Sequence, residues 1–156
     1  MQGLSAFQAA ELRGVAAKRH HFTGSMGPWM EHLVQDEGMT IAQARETLSG
    51  WEAIPFIDPK HGHMATLIKR NREVHFAIYR RFRRKAQVTS RRIAEFLQPL
   101  LDKNIFLVTK IDNPEDAKFI EHLGFQELSV APDGVQCYIL NELKYPRVRH
   151  ASTVQN

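Results

Sequence analysis

The sequence has few of the residues that would place it in a specialised class of protein. A single cysteine, Cys137, leaves nothing for an internal disulfide bond, which fits a reducing compartment. No apolar run approaches the roughly 20 residues that a membrane span needs, and the N-terminus lacks the apolar core of a signal peptide. We therefore expect a soluble, cytoplasmic protein that has no membrane partner.

The composition is that of an ordinary globular domain. The chain has 156 residues, of which 43% are hydrophobic and 24% charged, and these values exclude a disordered or fibrous protein. This length suits one continuous core. We expect a single domain over residues 1–143, with a helical part at 1–50, a sheet-containing part at 51–140, and a polar, basic tail at 144–156.

Basic residues are concentrated in one segment of the chain. The formal net charge is only +4, from 21 basic and 17 acidic residues. Residues 69–92, however, contain 10 basic residues and a single acid, Glu73, whereas the rest of the chain has 11 basic and 16 acidic residues. A segment with a charge of +9 in an otherwise acidic chain predicts a surface that binds anions.

The spacing of apolar residues changes from a helical to a strand-like period near residue 51. Before it we expect one helix that opens after Ser25 and ends at Gly38, and another that Thr40 caps and Gly50 ends. Short apolar runs separated by turn residues then predict three antiparallel strands. They lie at residues 53–57, 64–68 and 74–79.

The second half of the sequence predicts two further helices and three further strands. A helix after residue 85 is followed by a buried strand at 105–109, a helix at 114–123 and a closing hairpin of 126–130 and 135–140. The strand at 74–79, the next helix and the strand at 105–109 form a right-handed crossover with parallel strands. We expect an α/β (α+β) fold with a mixed, mostly antiparallel sheet, a central parallel strand pair and helices on both faces.

The densest part of the basic segment lies between a predicted strand and a predicted helix. Five basic residues occur within residues 80–85. Unpaired backbone N–H groups and the helix dipole favour an anion at such a junction. We expect a phosphate or pyrophosphate site there, and the alternative is a solvated loop that happens to be basic.

Two motifs in this arrangement resemble the GCN5-related N-acetyltransferases, the GNAT superfamily. Residues 73–79, with the sequence EVHFAIY, resemble the fourth strand of that family, and the arginine-rich stretch after them resembles its phosphate loop. Asn113 and the later Leu123-Gly124-Phe125 resemble the motif in which an asparagine opens a helix that ends in Leu-Gly-Phe. The resemblance covers roughly residues 51–140 and implies that the protein binds acetyl-CoA.

The resemblance also implies which residues contact the coenzyme. They are Ile78, Tyr79, Arg80, Arg81, Arg83, Arg84, Lys85, Ala86, Gln87, Asn113 and Phe119. The family's phosphate loop usually contains glycines, but residues 81–86 contain none, so the side chains must do more of the binding. Ile120 occupies the position of the tyrosine that serves many members as a general acid.

Three residues are candidates for catalysis of acetyl transfer. Attack by an amine needs a base that takes the amine proton and a group that polarises the thioester carbonyl. Glu73 and His75 alternate onto one side of the strand that leads to the basic loop, and Tyr138 could replace the missing tyrosine. The alternative is structural, because Glu73 could simply begin a strand and His75 could be a hydrogen-bonded buried histidine.

The sequence has no glycine in the loop at residues 81–86 and has isoleucine at position 120. In these two features it resembles the divergent acetyltransferase-like proteins of bacteriophages. That resemblance implies a location in the host-cell cytoplasm or in a virion, and it leaves open whether the protein is an enzyme. Our main hypothesis is an acetyl-CoA-binding protein that transfers acetyl to an unidentified amine by direct attack. The alternative is an inactive assembly or virion component that binds nucleic acid or a protein partner through residues 69–92, with a homo-oligomer also open. We expect no metal site.

Overall fold

The computed structural model describes residues 22–85 and 90–144, and within these ranges it contains four α-helices and six strands. The helices are α1 (Gly27–Glu31), α2 (Ile41–Leu48), α3 (Ser90–Asn104) and α4 (Pro114–Leu123). The strands are β1 (Glu52–Asp58), β2 (Gly62–Arg70), β3 (Glu73–Ile78), β4 (Leu107–Ile111), β5 (Gln126–Val130) and β6 (Gln136–Leu140). A π-helical turn (His32–Asp36) extends α1, and a 3₁₀ turn (Arg80–Lys85) follows β3. The part of the predicted helical region before residue 22 and the tail beyond residue 144 lie outside the described residues.

The segment formed by α1 and the π-helical turn, and the helix α2, begin and end near the residues that the sequence predicts, although the first segment is α-helical only to Glu31. Pro28 lies in the first turn of α1, where a missing N–H group costs no hydrogen bond. At the start of α2, the Gln43 N–H donates to the Thr40 hydroxyl at 3.0 Å, and the Thr40 N–H donates to the Gln43 side chain at 2.9 Å. Gly38 and Gly50 follow the two helical segments with φ values of 76° and 88°. These contacts confirm the two predicted helices.

The six strands form one mixed sheet in the order β1-β2-β3-β4-β6-β5. All neighbouring strands are antiparallel except β3 and β4, which are parallel. This arrangement confirms the predicted mixed sheet with a central parallel pair. The parallel pair is joined at one position only, Glu73 opposite Val108, where the Val108 N–H donates to the Arg72 carbonyl at 2.8 Å.

Apolar clusters cover both faces of the sheet, as predicted. Successive residues of β2 belong to different clusters: Leu67 packs in the larger one and Ile68 in the smaller, because side chains alternate across a strand. The larger cluster contains Ile93 and Leu97 of α3 together with Leu123 of α4. The smaller cluster is formed by the segment from α1 to α2 and includes Leu33, Ala44 and Leu48. The sheet therefore lies between α3 and α4 on one face and α1 and α2 on the other.

Strand β4 begins two residues later than the predicted strand at 105–109, so that boundary is wrong. Ile105 has a φ of 73° and is 73% exposed. Its N–H donates to the Leu101 carbonyl at 2.8 Å, which continues the bonding of α3. Residue 105 thus closes the helix. The apolar run at 105–109 predicted a strand from its first residue. The left-handed backbone conformation of Ile105 could not be predicted, because it has no sequence signal.

The C-terminal part follows its predicted boundaries closely. The Asn113 side chain accepts a hydrogen bond from the Glu115 N–H at 2.8 Å and caps α4. Gly124 ends the helix with a φ of 125°, and a Cβ atom there would lie 2.5 Å from the Glu142 carbonyl oxygen. The hairpin of β5 and β6 follows. Within the described ranges, no helix combines the length and apolar character needed to cross a bilayer.

Candidate functional site

A cleft of about 1220 Å³ opens between β3 and β4. Val74 and Ile78 of β3 line one side of it, and Thr109 and Ile111 of β4 line the other. The cleft reaches Phe119 of α4, and its lining includes residues from both faces of the sheet. It exists because the parallel strands pair at one position only and leave a gap beyond it.

The edge of β3 is exposed to this cleft. Apart from Glu73, the described residues of β3 have no ladder partner on the side of β4. A strand edge of this kind presents backbone N–H and C=O groups to any extended chain that lies alongside it. The cleft therefore offers hydrogen bonds along its length and apolar walls on both sides.

Some of the predicted coenzyme-binding residues line this cleft and others do not. Those in the lining are Ile78, Arg83, Asn113 and Phe119. Those described but outside the lining are Tyr79, Arg80, Arg81 and Arg84. The Lys85 side chain, together with the whole of Ala86 and Gln87, lies outside the described part of the chain.

Tyr79 and Arg81 make contacts that hold the fold together. The Tyr79 side chain is buried, and its hydroxyl donates to the Phe22 carbonyl. The Arg81 guanidinium lies over the rings of Tyr79 and Phe82, at 4.4 and 4.7 Å. Burial raises the pKa of Tyr79 in spite of the opposing charge of Arg81. These contacts attach the chain before α1 to the end of β3.

Arg80 and Arg83 are bonded to acidic residues of the helical segment formed by α1 and the π-helical turn. The Arg83 Nη2 donates to the Asp36 Oδ2 at 2.7 Å, and its Nε donates to the Ile78 carbonyl at 3.2 Å. The Arg80 N–H donates to Glu31 at 2.7 Å. Burial raises the pKa of Asp36, but the hydrogen bonds from Arg83 and His32 outweigh burial, so the net shift is downward.

The basic segment does not form one patch among the described residues. Strand β3 separates its two parts by six residues, which is roughly 20 Å at the rise of a strand. At one end, the guanidinium of Arg70 lies 4.1 Å from the Trp51 ring, and that of Arg72 lies 4.6 Å from the Phe106 ring. The arginines of the 3₁₀ turn lie at the other end. Among the described residues, the basic segment thus has Arg70 and Arg72 at one end of β3 and the arginines of the 3₁₀ turn at the other.

Glu73 and His75 lie together, as their alternation along the strand predicts. The Glu73 Oε2 is 2.7 Å from the His75 Nε2. An ionised carboxylate only accepts, so the Nε2 that faces Glu73 is the ring nitrogen that donates, and in a neutral ring Nδ1 then has a lone pair. His75 lines the cleft and packs edge-on against Trp29 and Trp51. The pair therefore has the arrangement of an oriented base.

Tyr138 lies away from this pair. Glu73 is paired with Val108 and Val108 with Ile139, so Glu73 and Ile139 share one face of the sheet and Tyr138 faces the other. The Tyr138 side chain is 2% exposed, with its hydroxyl 3.4 Å from Glu121. Burial, followed by the charge of Glu121, raises its pKa. The structure does not bring the three candidate catalytic residues to one site.

Two lining residues, Trp29 and Asp36, are absent from the sequence-based candidates. The Trp29 Nε1 donates to the Thr66 carbonyl at 2.9 Å, which fixes the indole beside His75. No signal in the sequence marked Trp29 or Asp36 as part of this site. The position of Asp36 depends on the π-helical turn, which no pattern in the sequence predicts.

No protein-family model and no curated protein sequence matches the chain. Solved structures do match it. A protein assigned as a phosphinothricin N-acetyltransferase is 20% identical, with a TM-score of 0.53, over 75% of this chain and 90% of that one. A mutant spermidine N-acetyltransferase from Vibrio cholerae is 13% identical, with a TM-score of 0.50, over 86% of this chain and 94% of that one. At these identities the likeness concerns architecture, and the chain has the fold of the GNAT N-acetyltransferases.

Proposed function

We propose that the chain binds acetyl-CoA in the cleft between β3 and β4 and transfers the acetyl group to an amine. The observation that carries this proposal is the cleft itself, which opens where the central parallel strands separate. The fold shared with N-acetyltransferases supports the choice of ligand. The sequence motif that begins at Asn113 supports it independently, because Asn113 lines the same cleft.

The residues of the cleft fit the chemical character of the coenzyme. Its pantetheine arm is extended and contains amide groups, which can pair with the part of the β3 edge that has no ladder partner, as another strand would. Val74, Ile111 and Phe119 supply apolar contacts for the methylene groups. Arg83 is the arginine of the 3₁₀ turn that lines the cleft, and it is the candidate for contact with the phosphates.

His75 is suited to take the proton from the attacking amine. In the reaction, the amine nitrogen bonds to the thioester carbonyl carbon, the carbon–sulfur bond breaks and the amine proton must leave. Nδ1 of the neutral His75 ring can accept that proton, while Glu73 orients the ring and stabilises its charged form. Tyr138 takes no part in this proposal, since it lies on the other face of the sheet.

Calorimetric titration with acetyl-CoA tests the binding step. We expect saturable binding to the wild type and weaker binding to Arg83→Gln. Arg45→Gln is the matched control, because it removes the same charge from an exposed position on α2. No heat and no rise in Tm at millimolar acetyl-CoA would contradict the proposal. Salt-sensitive binding of DNA in that case would favour the alternative of a nucleic-acid-binding component.

Release of coenzyme A thiol in the presence of amines tests the transfer step. The names of the two structural neighbours give the first acceptors to assay, which are phosphinothricin and spermidine. Mass spectrometry of the product would establish that the acetyl group is on nitrogen. Thiol release without an acetylated amine would mean hydrolysis and would contradict transfer.

A further inference from the structure

We infer that Asp36 competes with the phosphates of the bound ligand for the Arg83 guanidinium, so that binding exchanges one ion pair for another. This inference rests on the proposed function, because it concerns the same cleft. Both residues line the cleft, and the distance from Nη2 to Oδ2 is 2.7 Å. The arginine available to a phosphate is therefore already occupied by a carboxylate of the chain.

The π-helical turn places Asp36 in this position. The Glu37 N–H donates to the His32 carbonyl at 3.1 Å, which closes a turn one residue wider than that of an α-helix. Such turns are rare and often occur at functional sites. The Asp36 Oδ2 accepts from the His32 ring at 2.9 Å as well as from Arg83. One carboxylate oxygen thus joins the helical segment to the turn that follows β3.

This contact is well suited to exchange. The Arg83 side chain is 43% exposed and that of Asp36 is 22% exposed, and partly exposed ion pairs of this kind contribute little net stability. A phosphate can accept a bidentate pair of hydrogen bonds from a guanidinium, whereas Asp36 accepts from Nη2 alone, and a phosphate also carries more negative charge than a carboxylate. The Asp36 carboxylate would also repel a phosphate bound beside it. Each of these effects means that Asp36 weakens the binding of an anion at this end of the cleft.

Two substitutions that remove the same charge test the inference. In Asp36→Asn the side chain keeps an oxygen that can accept a hydrogen bond, which preserves the turn. Glu37→Gln is the control, since Glu37 lines the same cleft but pairs with His32, at 3.5 Å, and has no arginine partner among its described contacts. Each variant is titrated with acetyl-CoA and, separately, with inorganic pyrophosphate, and its folding is checked by circular dichroism.

We expect Asp36→Asn to bind both ligands about fivefold more tightly than the wild type, and Glu37→Gln to change binding less than about twofold. The gain should shrink at high salt, because screening weakens exposed charge interactions. It should also be smaller when Asp36→Asn is introduced into Arg83→Gln, because the competition acts through Arg83 and only the direct repulsion by Asp36 remains. Equal binding by Asp36→Asn would show that Asp36 does not compete for Arg83, and weaker binding would show that Asp36 positions Arg83 for binding. Either result would overturn the inference.

The two ligands separate this inference from the proposed function. If pyrophosphate binds more tightly to Asp36→Asn but acetyl-CoA binds to no variant, the exchange is supported and the coenzyme assignment fails. If acetyl-CoA binds equally to the wild type and Asp36→Asn, the coenzyme assignment stands and the exchange fails. If neither acetyl-CoA nor pyrophosphate binds to the wild type or to any variant, both the exchange and the coenzyme assignment are overturned.

Discussion

The carboxylate of Asp58 is completely buried at the end of β1 and is paired with the guanidinium of Arg92 in the first turn of α3. The Arg92 side chain is 48% exposed. The same carboxylate accepts hydrogen bonds from the N–H groups of Lys60 and His61, both at 2.9 Å. One buried charge therefore fixes the turn after β1 and ties it to the start of a helix 34 residues later.

We predict that Asp58→Asn lowers the free energy of unfolding by about 2 kcal/mol, because it removes charge-assisted hydrogen bonds from a buried site. Urea denaturation followed by circular dichroism measures this change. Asp102→Asn is the control, because Asp102 is exposed and accepts a bond from the Gln98 side chain. It should change stability by less than about 0.5 kcal/mol. Equal effects of the two substitutions would refute the structural role of Asp58.

The contribution of Asp58 should also depend on pH. Burial raises the pKa of Asp58, but its hydrogen bonds to Arg92 and to the two backbone N–H groups outweigh burial and lower it below the ordinary value of 3.8. A carboxyl group with a lowered pKa contributes stability above its unfolded pKa and loses it as the pH falls through its folded pKa. The difference between wild type and Asp58→Asn should therefore be full near pH 6 and shrink below pH 3.8. A difference that stayed constant down to the acid transition would contradict this prediction.

Gly124 should tolerate substitution much less well than Gly134. Both have positive φ values, 125° and 89°, so alanine is strained at either position. A Cβ atom at Gly124 would also lie 2.5 Å from the Glu142 carbonyl oxygen, whereas one at Gly134 meets nothing within 4 Å. We expect Gly124→Ala to cost about 3 kcal/mol and Gly134→Ala about 1 kcal/mol. Similar Tm values for the two variants would show that the close approach at Gly124 relaxes freely.

Acetyl transfer should depend on His75 and be insensitive to Tyr138. If His75 is the base, His75→Gln should lower kcat about a hundredfold while acetyl-CoA still binds. Glu73→Gln should have a smaller effect of about tenfold, because it disturbs only the orientation and charge of the ring. Tyr138→Phe should leave kcat within about twofold of the wild type, because it removes a hydroxyl from the other face of the sheet.

The assay for these three variants is steady-state thiol release with the acceptor amine that the wild type uses. Thermal unfolding of each variant controls for loss of fold. A large loss of kcat in Tyr138→Phe with an unchanged Tm would contradict the assignment and would return Tyr138 to the catalytic candidates.

Local signals in the sequence predicted much of the fold. Helix α4 begins after Asn113 and ends at Gly124, as predicted, because the cap and the positive φ are properties of single residues. The proximity of Glu73 and His75 was also predictable, since alternate residues of a strand share a face. Ile105 shows the limit of such reasoning, because its apolar side chain matches a strand while its backbone ends a helix.

Long-range contacts could not be predicted in the same way. Asp36 and Arg83 are 47 residues apart, and their contact requires both the π-helical turn and the packing of that turn beside β3. The position of Tyr138 relative to Glu73 depends on the registers of two strand pairs, which no periodicity specifies. The sequence thus located the basic loop correctly but could not show that two of its arginines already have acidic partners.

The single pair between Glu73 and Val108 has a consequence for the cooperativity of folding. On either side of it, β1-β2-β3 and β4-β6-β5 form two three-stranded antiparallel halves, each with its own ladder. A ligand lying along the edge of β3 would supply cross-links that the backbone lacks between these halves. Occupancy of the cleft would then add to the apolar packing that already joins the two halves, and amide hydrogens far from the ligand would exchange more slowly with solvent.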